Sequence, residues 1–555
     1  MAVIATAGHV DHGKSALVRA MTGIEPDRYA EERRRGLTLD LGFAHVASSD
    51  GTVLDIIDVP GHADYLRTMV AGMGLADIAL LVIDAVEGPR AQTREHLVAI
   101  ESAGVAVGAV ALSRCDLVDE TRRSEVRSEV ELLTNSSTVE WVAILATSSV
   151  TGEGVDDAVE VLAALTARVD AQRDDHARGA LRLVVDRSFH IAGSGTVVTG
   201  TLDSGVVRAG DRVVLAPSGV AATVRGLQRH GGAIDEVSSR SRVALNLSGI
   251  SVDDVVRGAV VVQSDSWMHT NTIDVRCVNE EGPFPPRVEV HLGAARRSAH
   301  VRPLASNGHA RLRFTPSLPL RPGDRLIVRS IGTGHVLGGA EVLDVDPVLR
   351  PSRSQPDGSI ESLLASHGWL RSADAHRRVG HHLDDVVPGW IAAPSTVAAT
   401  VEALSAMLSS GPVALSERAD YERLLLATID DVVIEHGQAR RGARDPALDH
   451  PVVDRLHRQG VTPGSVDDVD RATLGRLVRL GIVVAHDNIY FHRDTLAGLV
   501  PTLMQLWEEH PEGFAVSDLR TALGITRKYA VPLAVCLDAC GYTRRVGDRR
   551  VPAQR

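Results

Sequence analysis

The apolar run Val3-Ile4-Ala5-Thr6-Ala7 predicts a buried strand, and the segment from Ala16 to Met21 reads as the first turns of a helix. Further strands are expected over Thr52 to Val59 and Val105 to Leu112, and an amphipathic helix over Asp157 to Arg168. The polar stretch from Asp170 to Arg178 reads as a linker. From Leu181 the period changes to two. Val184 to Gly200, Val206 to Leu215, Thr272 to Asn279, Ala310 to Thr315 and Leu326 to Val345 all carry the alternation of β-hairpins with glycine turns. Arg208-Ala209-Gly210-Asp211-Arg212 recurs as Arg321-Pro322-Gly323-Asp324-Arg325, which suggests two β-barrels on related turns, with two unrelated sandwiches as the alternative.

The β pattern stops at Pro347, and after a linker at Arg350 to Asp357 the chain turns helical with short hairpins. Its last unit is the clearest. Asp518 to Leu523 is a helix, Gly524 a turn and Thr526 an N-cap, before a helix to Cys540 that stops at Gly541; Tyr542 to Val551 is a hairpin turning at Gly547-Asp548. Helix, turn, helix and wing make a winged helix. Pro532 is expected to shift the start of the second helix, because proline fits only the first turn. A weaker copy runs from Leu474 through Gly481 to a hairpin at Ile482 to His492, turning at Asp487-Asn488, and residues 358–440 have room for one or two more. The reading is a multidomain chain: an α/β domain over 1–175, β-barrels over 176–268 and 269–346, and tandem winged-helix (α+β) domains over 347–555.

Composition narrows the setting. In 555 residues no apolar run reaches 18, and His9, Asp11, His12 and Lys14 interrupt the start where a secretion signal needs continuous apolar residues, so a cytoplasmic protein without membrane contact is expected. Cys115, Cys277, Cys536 and Cys540 are too scattered for a disulfide framework; Cys536 and Cys540 share a helix face, and packing is the expected reason. The net charge of −12 argues against coating nucleic acid over the whole surface, yet Arg520 to Arg555 holds eight cations against two aspartates. Of 59 cations only Lys14 and Lys528 are lysine.

Lys14 lies in Gly8-His9-Val10-Asp11-His12-Gly13-Lys14-Ser15, which fits Gly-x-x-x-x-Gly-Lys-Ser/Thr between a strand and a helix. Backbone N–H groups of Asp11, His12, Gly13 and on to Ala16 can turn toward a β-phosphate, Lys14 neutralises the β/γ oxygens, and Ser15 offers a hydroxyl to Mg²⁺. Thr38 can close over the same ion when a γ-phosphate is present. At the end of the next strand, Asp58 can hold Mg²⁺ through water, the Gly61 N–H can meet the γ-phosphate, and His62 is placed to orient an attacking water.

Gly-His-Val-Asp-His-Gly-Lys, Arg-Gly-Leu-Thr and Asp-Val-Pro-Gly-His resemble the GTP-binding domain of the translation-factor GTPases. The resemblance implies a P-loop GTPase domain using GTP and Mg²⁺, switch regions at about 30–43 and 60–75, His62 as the catalytic histidine, and Val10 and Leu37 as its apolar gate. Ser113-Arg114-Cys115-Asp116 stands where that family usually has Asn-Lys-x-Asp. Guanine preference then rests on Asp116, with Arg114 along the base and help from Ser148-Ser149-Val150. The run Phe189 to Gly200 resembles the start of domain two in elongation factors, which holds the aminoacyl end of tRNA.

With the tandem winged helices added, the chain resembles the bacterial selenocysteine-specific elongation factors (SelB type) over essentially its full length. Thr38-x-Asp40-Leu41-Gly42, Asp186-Arg187, Arg242, Ile525 to Tyr529 and Gly541 to Arg545 carry that likeness. It implies delivery of selenocysteinyl-tRNA to the ribosome at UGA while the tail grips an mRNA hairpin, by a chain expected to be monomeric. Arg187 and Arg242 would face selenium, oriented by Asp186, with Phe43 where tyrosine is more frequent. Arg527, Lys528 and Tyr529 on the recognition helix and Arg544, Arg545, Arg549 and Arg550 on the wing would meet RNA. Two rival readings are a GTP-switched DNA-binding regulator and a general translation factor with a fused tail.

Overall fold

Val3–Ala7 (β1) is buried at every position because it lies inside a sheet covered on both faces. With β2 (Gly42–Ala47), β3 (Val53–Asp58), β4 (Ile78–Asp84), β5 (Val107–Ser113) and β6 (Glu140–Ala146) it forms a six-stranded sheet in the order β2-β3-β1-β4-β5-β6, parallel except at β2. The computed structural model describes residues 2–27, 38–172, 179–193, 195–238, 240–278, 282–435, 437–442 and 445–553, so Leu37 and most of the first switch region lie outside the described residues. Helices α1 (Lys14–Thr22) and α5 (Val155–Ala171) cover one face, where Leu17, Val18 and Leu162 meet Ile4. On the other, α2 (Leu66–Met73), α3 (Ala91–Ala103) and α4 (Glu120–Thr134) bring Met69, Ile100 and Val130 against Val3 and Ala5. Residues of β1 thus alternate between two cores, as the pleat requires.

Both β regions are barrels, and the sandwich alternative falls. In the first, β7 (Arg182–Ile191), β8 (Gly195–Ser204), β10 (Arg212–Ala216), β11 (Val220–Arg229), β14 (Ser241–Ser248) and β15 (Val260–Gln263) close because β10 pairs with both β15 and β11. The short strands β9 (Val206–Arg208), β12 (Gly232–Ile234) and β13 (Glu236–Ser238) decorate its rim. The second closes in the order β16 (His269–Val278), β19 (His309–Pro319), β18 (Ala295–Pro303), β17 (Arg287–Leu292), β20 (Arg325–Ser330), β21 (Val336–Val345). The repeated turn does the same work in each. Asp211 and Asp324 accept the N–H of Arg208 and Arg321 at 2.7 and 2.8 Å, while Gly210 and Gly323, at φ 97° and 88°, donate to Val224 and Val342.

A buried ionic cluster joins the α/β domain and the two barrels. Arg182 donates to Asp203 at 2.6 Å, to Asp324 at 2.6 and 2.7 Å and to the Pro319 carbonyl at 3.1 Å, and Arg240 pairs with Asp77, which accepts the Val3 N–H.

The chain divides into two units, Met1–Val397 and Ala398–Arg555. Region 358–440 holds two further helix–hairpin units. In the first, α6 (Ile360–His367) and α7 (Ser372–Val379) go with β22 (Leu370–Arg371) and β23 (Trp390–Ile391). In the second, α8 (Pro394–Ser410) and α9 (Asp420–Leu426) go with β24 (Val413–Ala414), β25 (Val432–Glu435) and β26 (Gln438–Arg441). The next unit has α10 (Pro451–Gln459), α11 (Arg471–Arg479), β27 (Val483–His486) and β28 (Ile489–His492), turning at Asp487 and Asn488, both left-handed. The last has α12 (Arg493–Ala497), α13 (Val500–Glu509), β29 (Phe514–Ala515), α14 (Val516–Leu523), α15 (Arg527–Ala539), β30 (Thr543–Val546) and β31 (Arg549–Pro552). Pro532 does not shift the start of α15. The helix begins after Thr526 and runs through the proline, whose ring is buried beside Leu533 in the unit's core, and that burial offsets the lost backbone bond. Cys536 is buried in the same core with Cys540 packed against it.

Candidate functional site

The loop after β1 bends through left-handed Asp11 (φ 62°) and Gly13 (φ 83°), and a side chain on Gly8 would collide with the Val82 carbonyl. A cleft of about 460 Å³ opens here, lined by Asp11, Gly13, Lys14, Ser15, Ala16, Thr38, Gly61 and Arg114 among others. Gly61 has no room for a Cβ, which would stand 2.7 Å from the Val10 nitrogen and against Lys14 Nζ. Lys14 donates to the Gly8 and His9 carbonyls at 3.1 and 2.8 Å, and burial pushes its ammonium down to about 8.

Five oxygen-bearing side chains converge beside Lys14. Ser15 donates to Asp58 at 2.6 Å and lies 2.9 Å from the Thr38 hydroxyl, which donates to Asp27 at 2.9 Å; Thr6 donates to the other Asp58 oxygen at 2.8 Å. Burial pushes the Asp58 carboxyl up to about 6, against the pull of the Ser15 bond and Lys14. A buried carboxyl whose charge Lys14 only partly offsets, with hydroxyls and a second carboxylate beside it, is an all-oxygen donor set that fits a hard divalent cation such as Mg²⁺. Asp27 is absent from the sequence reading, since no motif marks it.

The loop is braced from α3 by two groups that the sequence reading also lacks, and by its own His12. His96 and Gln92, on α3, accept the Gly8 and Val10 N–H groups at 3.0 and 3.2 Å. His12 Nδ1 accepts the Asp84 N–H at 3.3 Å. Burial pulls His12 down to about 4 and His96 to about 3, so both work as neutral acceptors. The signal for Gln92 and His96 is their i, i+4 spacing, which puts both on the side of α3 that faces the loop.

His62 is outside the cleft. Its Nδ1 accepts the Asp64 N–H at 3.2 Å, and its side chain is 41% exposed. The base-reading loops are adjacent: the Cys115 N–H donates to the Thr147 carbonyl, and Arg123 bonds both the Cys115 carbonyl and Glu153. Asp116 is exposed, and left-handed Arg114 pairs with Asp84 at 2.7 Å on the cleft wall. Ser148 Oγ accepts the Val150 and Thr151 N–H groups, Ser149 is half-buried and Val150 exposed. Ser113 donates to the His12 carbonyl at 2.7 Å, tying this loop to the phosphate loop.

Phe43 on β2, Asp186 and Arg187 on β7 and Arg242 on β14 come together between the α/β domain and the first barrel. A bulge between Val185 and Arg187 leaves Asp186 out of the ladder and re-aims its neighbours. Asp186 accepts from Arg242 at 3.0 and 3.1 Å and from Thr199 at 2.6 Å. It does not orient both arginines, as the sequence reading has it: Arg187 donates to Asp40 at 3.2 Å and to the Leu41 carbonyl at 2.6 Å, across the domain boundary. Both guanidinium groups lie over the Phe43 ring, at 3.5 Å for Arg242 and 5.4 Å for Arg187. A cavity of about 270 Å³ adjoins them, walled by His45 and His230, whose rings stack at 3.9 Å, and by Asp55, 2.5 Å from His230 Nε2.

On the last winged helix Arg527, Lys528, Arg544, Arg545 and Arg549 are exposed, and Tyr529 is half-buried with its ring 5.3 Å from Lys528 Nζ. Arg550 is a correction. It is buried, paired with Asp538 at 3.1 Å, and props the wing from inside, because successive residues of a strand face opposite sides. A groove of about 780 Å³ runs beside Arg527, Lys528 and Tyr529 toward Asp487 and Asn488 of the preceding unit.

Comparison with known proteins follows this order of domains. The Elongation factor Tu GTP binding domain model matches residues 1–168 and the Elongation factor Tu domain 2 model residues 195–262. The beta-barrel domain model of selenocysteine-specific elongation factors matches residues 285–348, and the winged-helix model of elongation factor SelB residues 505–551. A selenocysteine-specific elongation factor of Desulfomicrobium baculatum is 37% identical over 354 residues, 62% of this chain but 55% of that relative, so the chain spans about half its length. The factor of the same description from Escherichia coli K12 is 29% identical with 98% of each chain covered. The crystal structure of a bacterial selenocysteine-specific elongation factor, EF-Sec, is similar with a TM-score of 0.69, 25% identity and 100% of each chain covered. A GTPase domain, two barrels and a terminal winged helix, each matched in that order, carry one likeness: the chain begins with a translation-GTPase domain and is similar along its length to the selenocysteine-specific elongation factors.

Proposed function

We propose that this chain binds and hydrolyses GTP, carries selenocysteinyl-tRNA to the ribosome at UGA codons, and holds an mRNA hairpin with its C-terminal winged helices. The observation that carries the reading is the pair Arg187 and Arg242 stacked on Phe43 at the junction of the GTPase domain and the first barrel. A selenol is more acidic than a thiol or a hydroxyl and is largely an anion at neutral pH. Two arginines on an aromatic floor favour that anion over the neutral serine side chain. Arg187 also reads the GTPase domain through Asp40 and Leu41, two and three residues beyond Thr38, so nucleotide state and cargo grip are linked by contact. The decisive experiment follows hydrolysis of the aminoacyl ester: with GTP the protein should protect selenocysteinyl-tRNA and leave seryl-tRNA unprotected, and equal protection of both refutes the assignment.

Arg242→Ala isolates the selenium contact. Loss of a charge-assisted contact is worth about 1.5–3 kcal/mol, roughly tenfold or more in selenocysteinyl-tRNA affinity, with uncharged tRNA nearly unaffected. An equal loss for both tRNAs in a filter-binding titration would make Arg242 a backbone contact.

Ser15, Thr38 and Asp58 would hold Mg²⁺, which when bound neutralises charge on the β- and γ-phosphate oxygens. Because Asp58 holds its proton more tightly in the folded chain than in the unfolded one, it favours the fold below the ordinary carboxyl range, and that contribution is lost as pH rises through about 6. A cation takes the ionised form, so its binding has the opposite slope. The Mg²⁺ requirement for binding a fluorescent GDP analogue is expected to rise as pH falls below about 6; a flat requirement over roughly pH 5 to 7 would show Asp58 already ionised.

For the tail, RNA hairpins present splayed loop bases and backbone, which exposed Arg527, Lys528, Arg544, Arg545 and Arg549 can grip while Tyr529 stacks or packs. Lys528→Ala should weaken binding of a hairpin placed beneath a UGA codon and lower the salt slope by about one unit or less. Tighter binding to duplex DNA than to the hairpin would favour the regulator reading. Among the described residues no helix is long and apolar enough to cross a membrane, and the proposal places the protein in the cytoplasm as a monomer.

A further inference from the structure

The third and fourth winged-helix units share a cluster that the nucleotide, tRNA and RNA contacts leave unused. His457 is on α10, next to Leu456 in the core of the third unit. His492 ends β28 and caps α12, which begins Arg493-Asp494; Phe491 and Leu496 on either side belong to the core of the fourth unit. The ligand atoms of His457, His492 and Asp494 lie within 4.8 Å of one another, the one such group of His, Cys, Asp or Glu among the described residues.

The distances fit an ion better than they fit a hydrogen bond. The two Nδ1 atoms are 3.3 Å apart with their rings crossed at 79°, and Asp494 Oδ2 is 3.7 Å from His492 Nδ1. Two nitrogens bound at about 2.0–2.1 Å to a tetrahedral ion stand about 3.3–3.4 Å apart, whereas good N–H···N contacts are shorter. His492 Nδ1 also receives the Asp494 N–H at 3.2 Å, a long contact that an ion bound on that lone pair would displace. His492 is buried while His457 and Asp494 are exposed, which leaves the cluster anchored on one side and reachable on the other. Asp454, one turn before His457, also acts on the charge of His492.

We propose that His457, His492 and Asp494 bind a divalent transition ion of the zinc class, with water as the fourth ligand. Two imidazoles and a carboxylate suit zinc and its spectroscopic substitute cobalt, and not the all-oxygen preference of magnesium. The ion would bolt the core of the third unit to that of the fourth, fixing the helix that leads toward the RNA-gripping wing.

The test uses the full-length, metal-stripped protein with Mg²⁺ and GDP in excess, so that the oxygen site by Lys14 is filled. Titrated Co²⁺ should give the ligand-field absorption of a tetrahedral nitrogen and oxygen site at one equivalent, without thiolate charge transfer, and Zn²⁺ should abolish it. His457→Ala, which truncates an exposed side chain, should weaken Co²⁺ binding by roughly a hundredfold or more, and so should His492→Asn, which keeps a cap acceptor; Cys540→Ser should change nothing. Absence of the band, its persistence in His457→Ala, or its loss in Cys540→Ser overturns the proposal.

Discussion

His62→Ala is expected to leave GTP binding nearly unchanged while ribosome-stimulated turnover falls by about two orders of magnitude or more, the range for losing a positioned catalytic group. The geometry explains why the two effects separate. His62 does not line the nucleotide cleft; its imidazole is turned to the Asp64 N–H, whereas its neighbour Gly61 sits against Val10 and Lys14. On the proposed function the ribosome would turn the His62 ring toward the cleft, a movement that the alanine variant lacks and that GTP binding does not need. Single-turnover hydrolysis on programmed ribosomes measures this directly, and equal rates for the two proteins would remove His62 from the mechanism.

Arg182→Ala should produce the largest loss of stability, about 3–5 kcal/mol, because it removes the guanidinium that two largely buried carboxylates share. Arg182 is 4% exposed and satisfies Asp203 in one barrel and Asp324 in the other, with its guanidinium 4.5 Å from the Trp267 ring. Asp324 is also the aspartate of the repeated turn, so the substitution loosens the second barrel at its hairpin as well as at the junction. Urea unfolding followed by tryptophan fluorescence gives the value. A change below about 1 kcal/mol would mean that water enters and solvates both carboxylates.

Both expectations concern residues whose visibility in the sequence differs. His62 follows Asp58-Val59-Pro60-Gly61, and its position is set by a strand end and a tight turn within a few residues. Arg182 carries no mark in the sequence: it is one arginine among many, and its partners lie 21 and 142 residues away. The same distinction separates Arg242 from Arg187. Each was legible as a cation near the pocket, yet the carboxylate that holds Arg187 is Asp40, 147 residues distant and in another domain. The inward turn of Arg550 is hidden in the sequence for a different reason. Four arginines in two adjacent pairs look like one basic surface, but a strand sends neighbours to opposite faces, and Asp538 on α15 draws Arg550 inward.

By itself the sequence determined what is encoded over short spans: the phosphate loop, whose glycines must take left-handed backbone; the period-two runs and the repeated Gly-Asp turn of the barrels; and the helix, turn, helix and hairpin of the last unit. Each depends on backbone preferences that adjacent residues settle among themselves. Tertiary structure alone decided which carboxylate meets which guanidinium, that Asp27 joins Asp58, that His96 braces the phosphate loop, and that His457 meets His492. Those choices follow from burial, since a polar or charged group taken out of water must pair with whatever the packing brings within reach, and packing brings together residues that are far apart along the chain.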